Sequence, residues 1–336
     1  MNNKIFLSRK NLDIANNIIL IDGFSGTGKS LIGSILSHLP RAEQWQIDYF
    51  YEQISVLSYL HKLPIQSAKA LCEVKSNETI YNLFIGRNVN FRSTDISSPL
   101  SNGLKKKYIE RLKKKEKTPA LNEIIKSDPL LILNIHYLFG YSKILLDIFE
   151  KNLKLYILMM RDPFYLIDYW YSRDLSSNRG KDKLDFGLCI EINKKLLPWY
   201  TKEYAKDFIN ANNFEKSILT IYQLYKRVIK MFLKLKIKDK KKMQIIFFHD
   251  YLNYPEDHME IICKKINLRQ DKKFNSFLKK TINESKKKHK SEVSIDIKSF
   301  QKKYREKISP KYLKLLSELN NIYSKFYLDN KIDKIS

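Results

Sequence analysis

The chain has 336 residues, 43% of them hydrophobic, which is long enough to bury a full-sized core. Its formal net charge of +26 indicates a general attraction for anionic substrates. Most of the surplus is lysine in short runs that are typical of solvated surfaces, and no zinc-finger, helix-turn-helix or RNA-binding motif accompanies them. The composition therefore does not predict a nucleic-acid partner.

The spacing of the cysteines and the hydropathy of the sequence indicate in which cellular compartment the protein works. Cys72, Cys189 and Cys263 are far apart and lack the paired spacing of a zinc site or a disulfide framework. No apolar run approaches the roughly 20 residues that a membrane-spanning helix needs, and Met1 to Asn17 has no continuous apolar segment of a signal peptide. We expect a soluble protein in a reducing cytoplasm, and the oligomeric state stays open.

Short apolar runs alternate with helical patterns along the chain. Four runs predict buried parallel strands: Asn17 to Asp22, Leu130 to Ile135, Leu153 to Met160 and Met243 to His249. Helical periodicity follows at Ser30 to Leu39, Tyr141 to Glu150, Phe164 to Arg173, Phe214 to Leu235 and Pro255 to Ile266. This alternation predicts an α/β fold of three layers, with a mostly parallel central sheet flanked by helices.

The remaining segments predict helical additions to one domain over residues 1–336. Helical sequence from Glu52 to Glu78 and a charged helix from Lys105 to Lys126 form an expected insertion at about 50–126. A C-terminal helical extension is expected at about 299–330, with Pro310 well placed to begin a helix.

The first predicted strand leads into a glycine-rich loop and then a helix. The loop reads Gly23-Phe24-Ser25-Gly26-Thr27-Gly28-Lys29-Ser30, which is a complete phosphate-binding P-loop, and it holds three of the nine glycines in the chain. Glycines let successive backbone N–H groups turn toward phosphate oxygens, while the helix adds its positive N-terminus. Lys29 would reach the terminal phosphate or sulfuryl group, and Ser30 a magnesium ion or donor oxygen.

Two later strands end in residues suited to group transfer. Open α/β sheets bind ligands beyond the carboxyl ends of their strands, so His136 and Arg161 are expected near the P-loop. His136 could take a proton from an attacking hydroxyl, or it could merely cap its strand. Arg161 could bind a phosphate in bidentate fashion, or it could pair with Asp162.

The P-loop, Asn134-Ile135-His136 and Arg161-Asp162-Pro163, taken in this order, resemble the sulfotransferase family. A further element, from Phe247 to Glu256, looks like the family's last strand, acidic residue and proline-containing loop. The resemblance covers roughly residues 17–30 and 130–270. Phe24 departs from it, because the family has a basic residue there, and Gly28-Lys29-Ser30 completes an ATPase-type loop that most members lack.

The resemblance implies transfer of a sulfuryl group from 3′-phosphoadenosine 5′-phosphosulfate to a hydroxyl. It implies that His136 is the base, that Lys29 and the loop bind the phosphosulfate, and that Arg161 binds the 3′-phosphate without any metal. Tyr169 stands where the family has a second 3′-phosphate ligand, a serine. The family's last basic loop would correspond to Ser285 to Lys290.

Two other functions stay open. In an ATP-dependent kinase of a small molecule, Ser30 and Asp250 would hold magnesium, and Asp48 would be the base. Asp48 could equally cap a helix, and Asp250 could be a turn residue. The other function is that of a nucleotide-binding protein without group transfer. The polar string from Gly86 to Asp95 suggests a polyhydroxylated acceptor such as a sugar or glycan, or else a loop that bonds to itself.

Overall fold

A computed structural model describes residues 13–178, 180–289 and 297–332. The strands in these ranges are β1 (Asn17–Gly23), β2 (Gln46–Ile47), β3 (Leu130–Asn134), β4 (Leu153–Met160), β5 (Cys189–Ile192), β6 (Lys195–Pro198) and β7 (Met243–Phe247). The central sheet has the order β2-β3-β1-β4-β7, and each neighbouring pair in it is parallel. β5 and β6 form a separate antiparallel hairpin. The predicted α/β fold with a parallel sheet is confirmed.

Helices cover both faces of this sheet. In chain order they are α1 (Lys29–Leu36), α2 (Tyr49–Tyr59), α3 (Ile65–Phe84), α4 (Lys105–Arg111), α5 (Thr118–Ser127), α6 (Ile144–Ile148), α7 (Pro163–Ser172), α8 (Ala205–Asn210), α9 (Asn213–Lys234), α10 (Ile237–Lys241), α11 (Phe248–Asn253), α12 (Pro255–Ile266), α13 (Lys272–Lys288), α14 (Ile297–Lys303) and α15 (Pro310–Asn330). None of the helices in the described ranges is both long and apolar enough to cross a bilayer.

Two hydrophobic cores lie on opposite faces of the sheet. Along β1, Ile18 and Leu20 join the core that also holds residues of α3, α7, α9 and α15, whereas Ile19 and Ile21 join the core with α1, α12 and α13. Successive side chains of a strand point to opposite faces, and a strand buried on both faces reads as an unbroken apolar run. This explains why β1, β3 and β4 were visible in the sequence.

The structure corrects several predicted boundaries. The last strand ends at Phe247, and His249 belongs to α11. The helix expected from Glu52 to Glu78 is two helices, because Pro64, which cannot continue a helix, precedes α3. The charged segment from Lys105 to Lys126 likewise forms both α4 and α5. Pro310 begins α15, as predicted.

Candidate active site

The P-loop turns its carbonyl oxygens toward donors of the chain itself. The Thr27 hydroxyl donates to the Phe24 oxygen at 2.8 Å, and Trp170 Nε1 donates to the Ser25 oxygen at 2.9 Å. Arg161 Nη1 donates to the Gly26 oxygen at 2.6 Å. These bonds hold the carbonyl side of the loop against the protein and leave its N–H side for an anion at the N-terminus of α1.

Two glycines permit the close packing of the loop. Gly28 caps α1 in the left-handed region at φ 90°, and a Cβ there would overlap the Phe248 ring. Gly26 has φ +95° and lies against the Tyr169 ring, which would be 2.9 Å from an added Cβ. Side chains at either position would be strained and would displace an aromatic ring that lines the site.

Lys29 lies inside the loop. Its Nζ donates to the carbonyl oxygens of Gly23 at 2.8 Å and Phe24 at 2.9 Å. Burial lowers the Lys29 pKa to about 8, although the nearby carboxylates of Asp22 and Glu52 act in the opposite direction. The ammonium group is therefore charged at neutral pH and next to the expected position of a phosphate or sulfuryl group.

Asp22, at the end of β1, is a buried carboxylate directly before the loop. It accepts hydrogen bonds from the Gly23 and Phe139 amides at 2.7 and 2.8 Å and from the Tyr156 hydroxyl at 2.7 Å. Burial raises its pKa, while these bonds and Lys29 oppose that rise. Asp22 thus ties the base of the loop to its neighbours, a role that the sequence reading did not assign to it.

His136 lies two residues beyond the end of β3 and is paired with a carboxylate. Its Nδ1 is 2.6 Å from Oε1 of Glu52 on α2, and the two side chains are 21% and 12% exposed. The next residue, Tyr137, donates its backbone N–H to the Gly23 oxygen at 3.2 Å, which fixes this turn to the P-loop. A carboxylate on Nδ1 leaves Nε2 as the basic nitrogen of the imidazole.

Arg161 follows β4 and is almost fully buried. Its guanidinium carbon lies 3.7 Å from the ring centre of Tyr165 and 4.0 Å from that of Phe248, so the group is stacked between two aromatic rings. Nη2 lies 3.3 Å from Nδ1 of His289. Burial lowers the Arg161 pKa to about 10, which still leaves the group cationic at neutral pH. Asp162, in contrast, caps α7 through the Phe164 and Tyr165 amides.

A cavity of about 460 Å³ joins these groups, and its size is within the range of roughly 300–1,000 Å³ usual for small-molecule sites. It is lined by Ser25, Gly26, Thr27, Gly28, Lys29, Ser30, Leu31, Ile47, Asn134, His136, Arg161, Tyr165, Tyr169, Arg173, Phe248, Ser285 and His289. Basic side chains are frequent in this lining, and no carboxylate of the described residues belongs to it. The charge of the lining therefore favours an anionic ligand.

The structure brings together the P-loop, His136, Arg161 and Tyr169, but not the two aspartates of the kinase alternative. Asp48 caps α2 by accepting from the Phe50 amide at 2.9 Å, and it pairs with Lys75. Asp250 lies in α11, where Oδ1 accepts from the Tyr327 hydroxyl at 2.8 Å. Neither aspartate lines the cavity. No cluster of three or more potential metal ligands occurs within the described ranges.

The segment expected to form a last basic loop is largely helical. Ser285 to Lys288 complete α13, and His289 follows it, while Lys290 lies outside the described residues. Ser285 and His289 nevertheless line the cavity. The predicted segment therefore does line the site, although it does so through the end of α13 and a histidine instead of a lysine-rich loop.

The sequence patterns assign no role to Glu52 or Arg173, and they include His289 only as part of the expected loop from Ser285 to Lys290. Glu52 and His136 are 84 positions apart, so their pairing depends on how α2 packs against the sheet. Arg173 ends α7 with its guanidinium 4.5 Å from the Tyr169 ring centre. The one available signal was that Arg173 follows Tyr169 by four positions on a predicted helix, which places both on one face.

Comparisons with known proteins give distant matches only. No family model matches the chain, and no curated protein matches it. Among solved structures, it is similar to the sulfotransferase domain from the curacin biosynthetic pathway, with 11% identity, 92% of this chain and 97% of that chain covered, and a TM-score of 0.46. It is also similar to the sulfotransferase domain of the Synechococcus PCC 7002 olefin synthase, with 13% identity, 96% of this chain and 98% of that chain covered, and a TM-score of 0.44. A sulfotransferase from Mycobacterium avium matches with 11% identity, 88% of this chain and 76% of that chain covered, and a TM-score of 0.38. Likeness at this level carries no conclusion about activity.

Proposed function

We propose that this protein is a sulfotransferase that moves a sulfuryl group from 3′-phosphoadenosine 5′-phosphosulfate to a hydroxyl of a small acceptor. The observation that carries the proposal is the pairing of His136 with Glu52 at the rim of a cationic P-loop cavity that has no carboxylate in its described lining. Such a site provides a base for a hydroxyl and an anion cradle for the donor, and requires no metal ligand.

In the proposed reaction, His136 Nε2 removes the proton of the acceptor hydroxyl while Nδ1–H donates to Glu52. The acceptor oxygen forms a bond to sulfur as the bond between sulfur and the bridging phosphate oxygen breaks. Lys29 and the loop amides stabilise the negative charge that grows on that bridging oxygen. The products are a sulfate ester, adenosine 3′,5′-bisphosphate and an imidazolium that later releases its proton to water.

Arg161, Tyr169 and the neighbouring His289 would hold the nucleotide's 3′-phosphate under this proposal. The Arg161 guanidinium already gives one N–H to the Gly26 oxygen and lies between two aromatic rings, so its position is fixed before a ligand arrives. A fixed cation loses little conformational entropy when an anion binds.

Two thiols, Cys72 and Cys263, are buried and form no disulfide, which supports the proposal that the protein works in a reducing cytoplasm.

A small-molecule kinase is the second candidate, and one observation favours it. Ser30 lines the cavity beside Lys29, as a magnesium-binding serine would. Magnesium with ATP is usually held by carboxylate oxygens as well. Here β3, the strand beside the P-loop strand, ends in Asn134, whose side chain is an amide. A magnesium ion at Ser30 would therefore have no carboxylate ligand from this strand.

Ligand-induced stabilisation separates the two candidates. At about 100 times its Kd, a ligand that binds only the native state stabilises it by about 2.7 kcal/mol. We expect adenosine 3′,5′-bisphosphate to raise the Tm by a few degrees without metal, and ATP with magnesium to raise it less. Stabilisation by ATP with magnesium alone would exclude the sulfotransferase. Transfer of ³⁵S from labelled donor to an acceptor, lost in His136→Ala, is the direct test of activity.

A further inference from the structure

Apolar side chains lie beside His136, at the edge of the cavity. Ile47 of β2 lines the cavity and is 39% exposed, although it is a large hydrophobic residue. Tyr49 begins α2, is 37% exposed, and its ring is nearly parallel to the His136 imidazole, with 6.4 Å between ring centres and 13° between planes. Exposed apolar groups that adjoin a polar catalytic pocket are typical of ligand-binding surfaces.

A third apolar side chain, Phe186, lies beside Tyr49 although it is far from it in the sequence. Phe186 lies in the segment before the β5–β6 hairpin, is 58% exposed, and has its ring centre 5.9 Å from that of Tyr49. Ile47, Tyr49 and Phe186, which we call the apolar rim, thus come from β2, the start of α2 and the segment before β5. Of the three, only Tyr49 has a polar side-chain atom, its hydroxyl.

The polar string that suggested a sugar acceptor lies elsewhere. Residues 86–95 do not line the cavity. Asn90 donates its side-chain amide to the Ser97 hydroxyl at 3.0 Å, and Asp95 accepts from both the Ser97 amide and hydroxyl at 2.8 Å. These groups form a self-bonded loop, which removes the sequence evidence for a polyhydroxylated acceptor.

We propose that the acceptor is an aromatic or otherwise apolar alcohol whose hydroxyl reaches His136 and whose carbon skeleton lies on the apolar rim. This inference rests on the proposed sulfotransferase function and narrows its acceptor. An acceptor oxygen bonded to His136 Nε2 lies in the plane of the imidazole, and the nearly parallel Tyr49 ring lies beside that plane with 6.4 Å between ring centres, so a carbon skeleton that extends from the oxygen toward α2 contacts Tyr49. An aromatic skeleton gains a ring contact there and covers Phe186.

A sugar fits the same rim poorly. Each of its hydroxyl groups needs a hydrogen-bonding partner once it is removed from water, and an unpaired one costs binding free energy. Ile47 and Phe186 provide no partner. A compound with one hydroxyl next to a ring has a single polar group to remove from water, and that hydroxyl donates a hydrogen bond to His136 Nε2.

The test compares 2-naphthol with glucose as acceptors of ³⁵S-labelled sulfuryl groups. We expect kcat/KM for 2-naphthol to exceed that for glucose by at least about 100-fold. Tyr49→Ala should raise the KM for 2-naphthol about tenfold, the equivalent of about 1.4 kcal/mol, whereas Tyr49→Phe should stay within about twofold. Ile125→Ala is the matched control, because Ile125 is 64% exposed on α5 and does not line the cavity.

Binding separates the failure of this inference from failure of the proposed function. Fluorescence titration measures 2-naphthol affinity in the presence of saturating adenosine 3′,5′-bisphosphate, and we expect the same tenfold loss in Tyr49→Ala without a change in bisphosphate affinity. Preferred transfer to glucose, or 2-naphthol binding that Tyr49→Ala leaves unchanged, would overturn the apolar acceptor while the sulfotransferase stands. Absence of both bisphosphate binding and ³⁵S transfer would overturn the sulfotransferase itself.

Discussion

Glu52→Gln tests whether the carboxylate beside His136 acts in catalysis. The substitution keeps the size of the side chain but removes the charge that faces Nδ1 at 2.6 Å. Opposite unit charges about 4 Å apart interact by about 4 kcal/mol at an effective dielectric constant of about 20. Because both side chains keep some contact with water, 12% and 21% exposed, we take about half of this, about 2 kcal/mol, as the loss of transition-state stabilisation.

A loss of about 2 kcal/mol lowers kcat about 30-fold. We expect this at pH 7 with the Kd for adenosine 3′,5′-bisphosphate unchanged, because a group that steadies an imidazolium acts on the chemical step and not on donor binding. Glu52→Asp, which retains the charge on a shorter stem, should recover part of the loss. Glu116→Gln, in an exposed pair with Arg87, is the matched control and should leave kcat unchanged.

Two results would refute this account of Glu52. One is a kcat for Glu52→Gln within about twofold of that of the unmodified protein. The other is a fall in both kcat and Tm that has the same size in Glu52→Gln as in Glu52→Asp, which would show that the residue stabilises the fold instead of the base. Steady-state ³⁵S transfer and a thermal scan of the three variants together decide between these outcomes.

Three further predictions concern the anion cradle. Burial lowers the Lys29 pKa to about 8, so its ammonium is mostly present below that pH and mostly lost above it. Calorimetry should therefore show that adenosine 3′,5′-bisphosphate binds about tenfold more weakly at pH 9.5 than at pH 7.5. Lys29→Met should bind the bisphosphate weakly at both pH values, without this pH dependence. Gly28→Ala, at φ +90° and against the Phe248 ring, should weaken that binding at least about tenfold, and undiminished affinity would contradict the strained-loop argument. Arg161→Met should weaken adenosine 3′,5′-bisphosphate about tenfold but adenosine 5′-phosphate little, and an equal loss for both nucleotides would show that Arg161 does not read the 3′-phosphate.

The sheet could be predicted from sequence where burial alone determines a strand. β4 has the predicted bounds, Leu153–Met160, because all but one of its residues are buried. β2 has only two residues, Gln46 and Ile47, and exists by pairing with the end of β3, so it has no pattern of its own. Most residues of the β5–β6 hairpin are either half-buried or exposed, and the hairpin lacks a clear apolar alternation.

The site divides in a similar way. His136 and Arg161 could be placed beside the P-loop because the carboxyl ends of parallel strands meet at one edge of the sheet. Glu52 could not, since it reaches His136 from the first turn of α2, and His289, expected only within a loop, lies just beyond the end of α13. Where a helix lies on a sheet depends on side-chain packing across the whole interface, which no local pattern encodes.

The complete P-loop does not by itself identify ATP as the ligand. Glycines and amides of such a loop bind the oxygens of a phosphate, and Lys29 adds a charge, whichever group is transferred. What distinguishes phosphoryl from sulfuryl transfer is the surroundings, because magnesium calls for carboxylates whereas a donor bound without metal calls for cations. Asn134, an uncharged amide, lines the cavity at the end of the strand beside the P-loop strand, and Arg161, Arg173 and Lys29 line the same cavity. The balance of charge around the loop, more than the loop itself, therefore supports our proposal of a phosphosulfate donor.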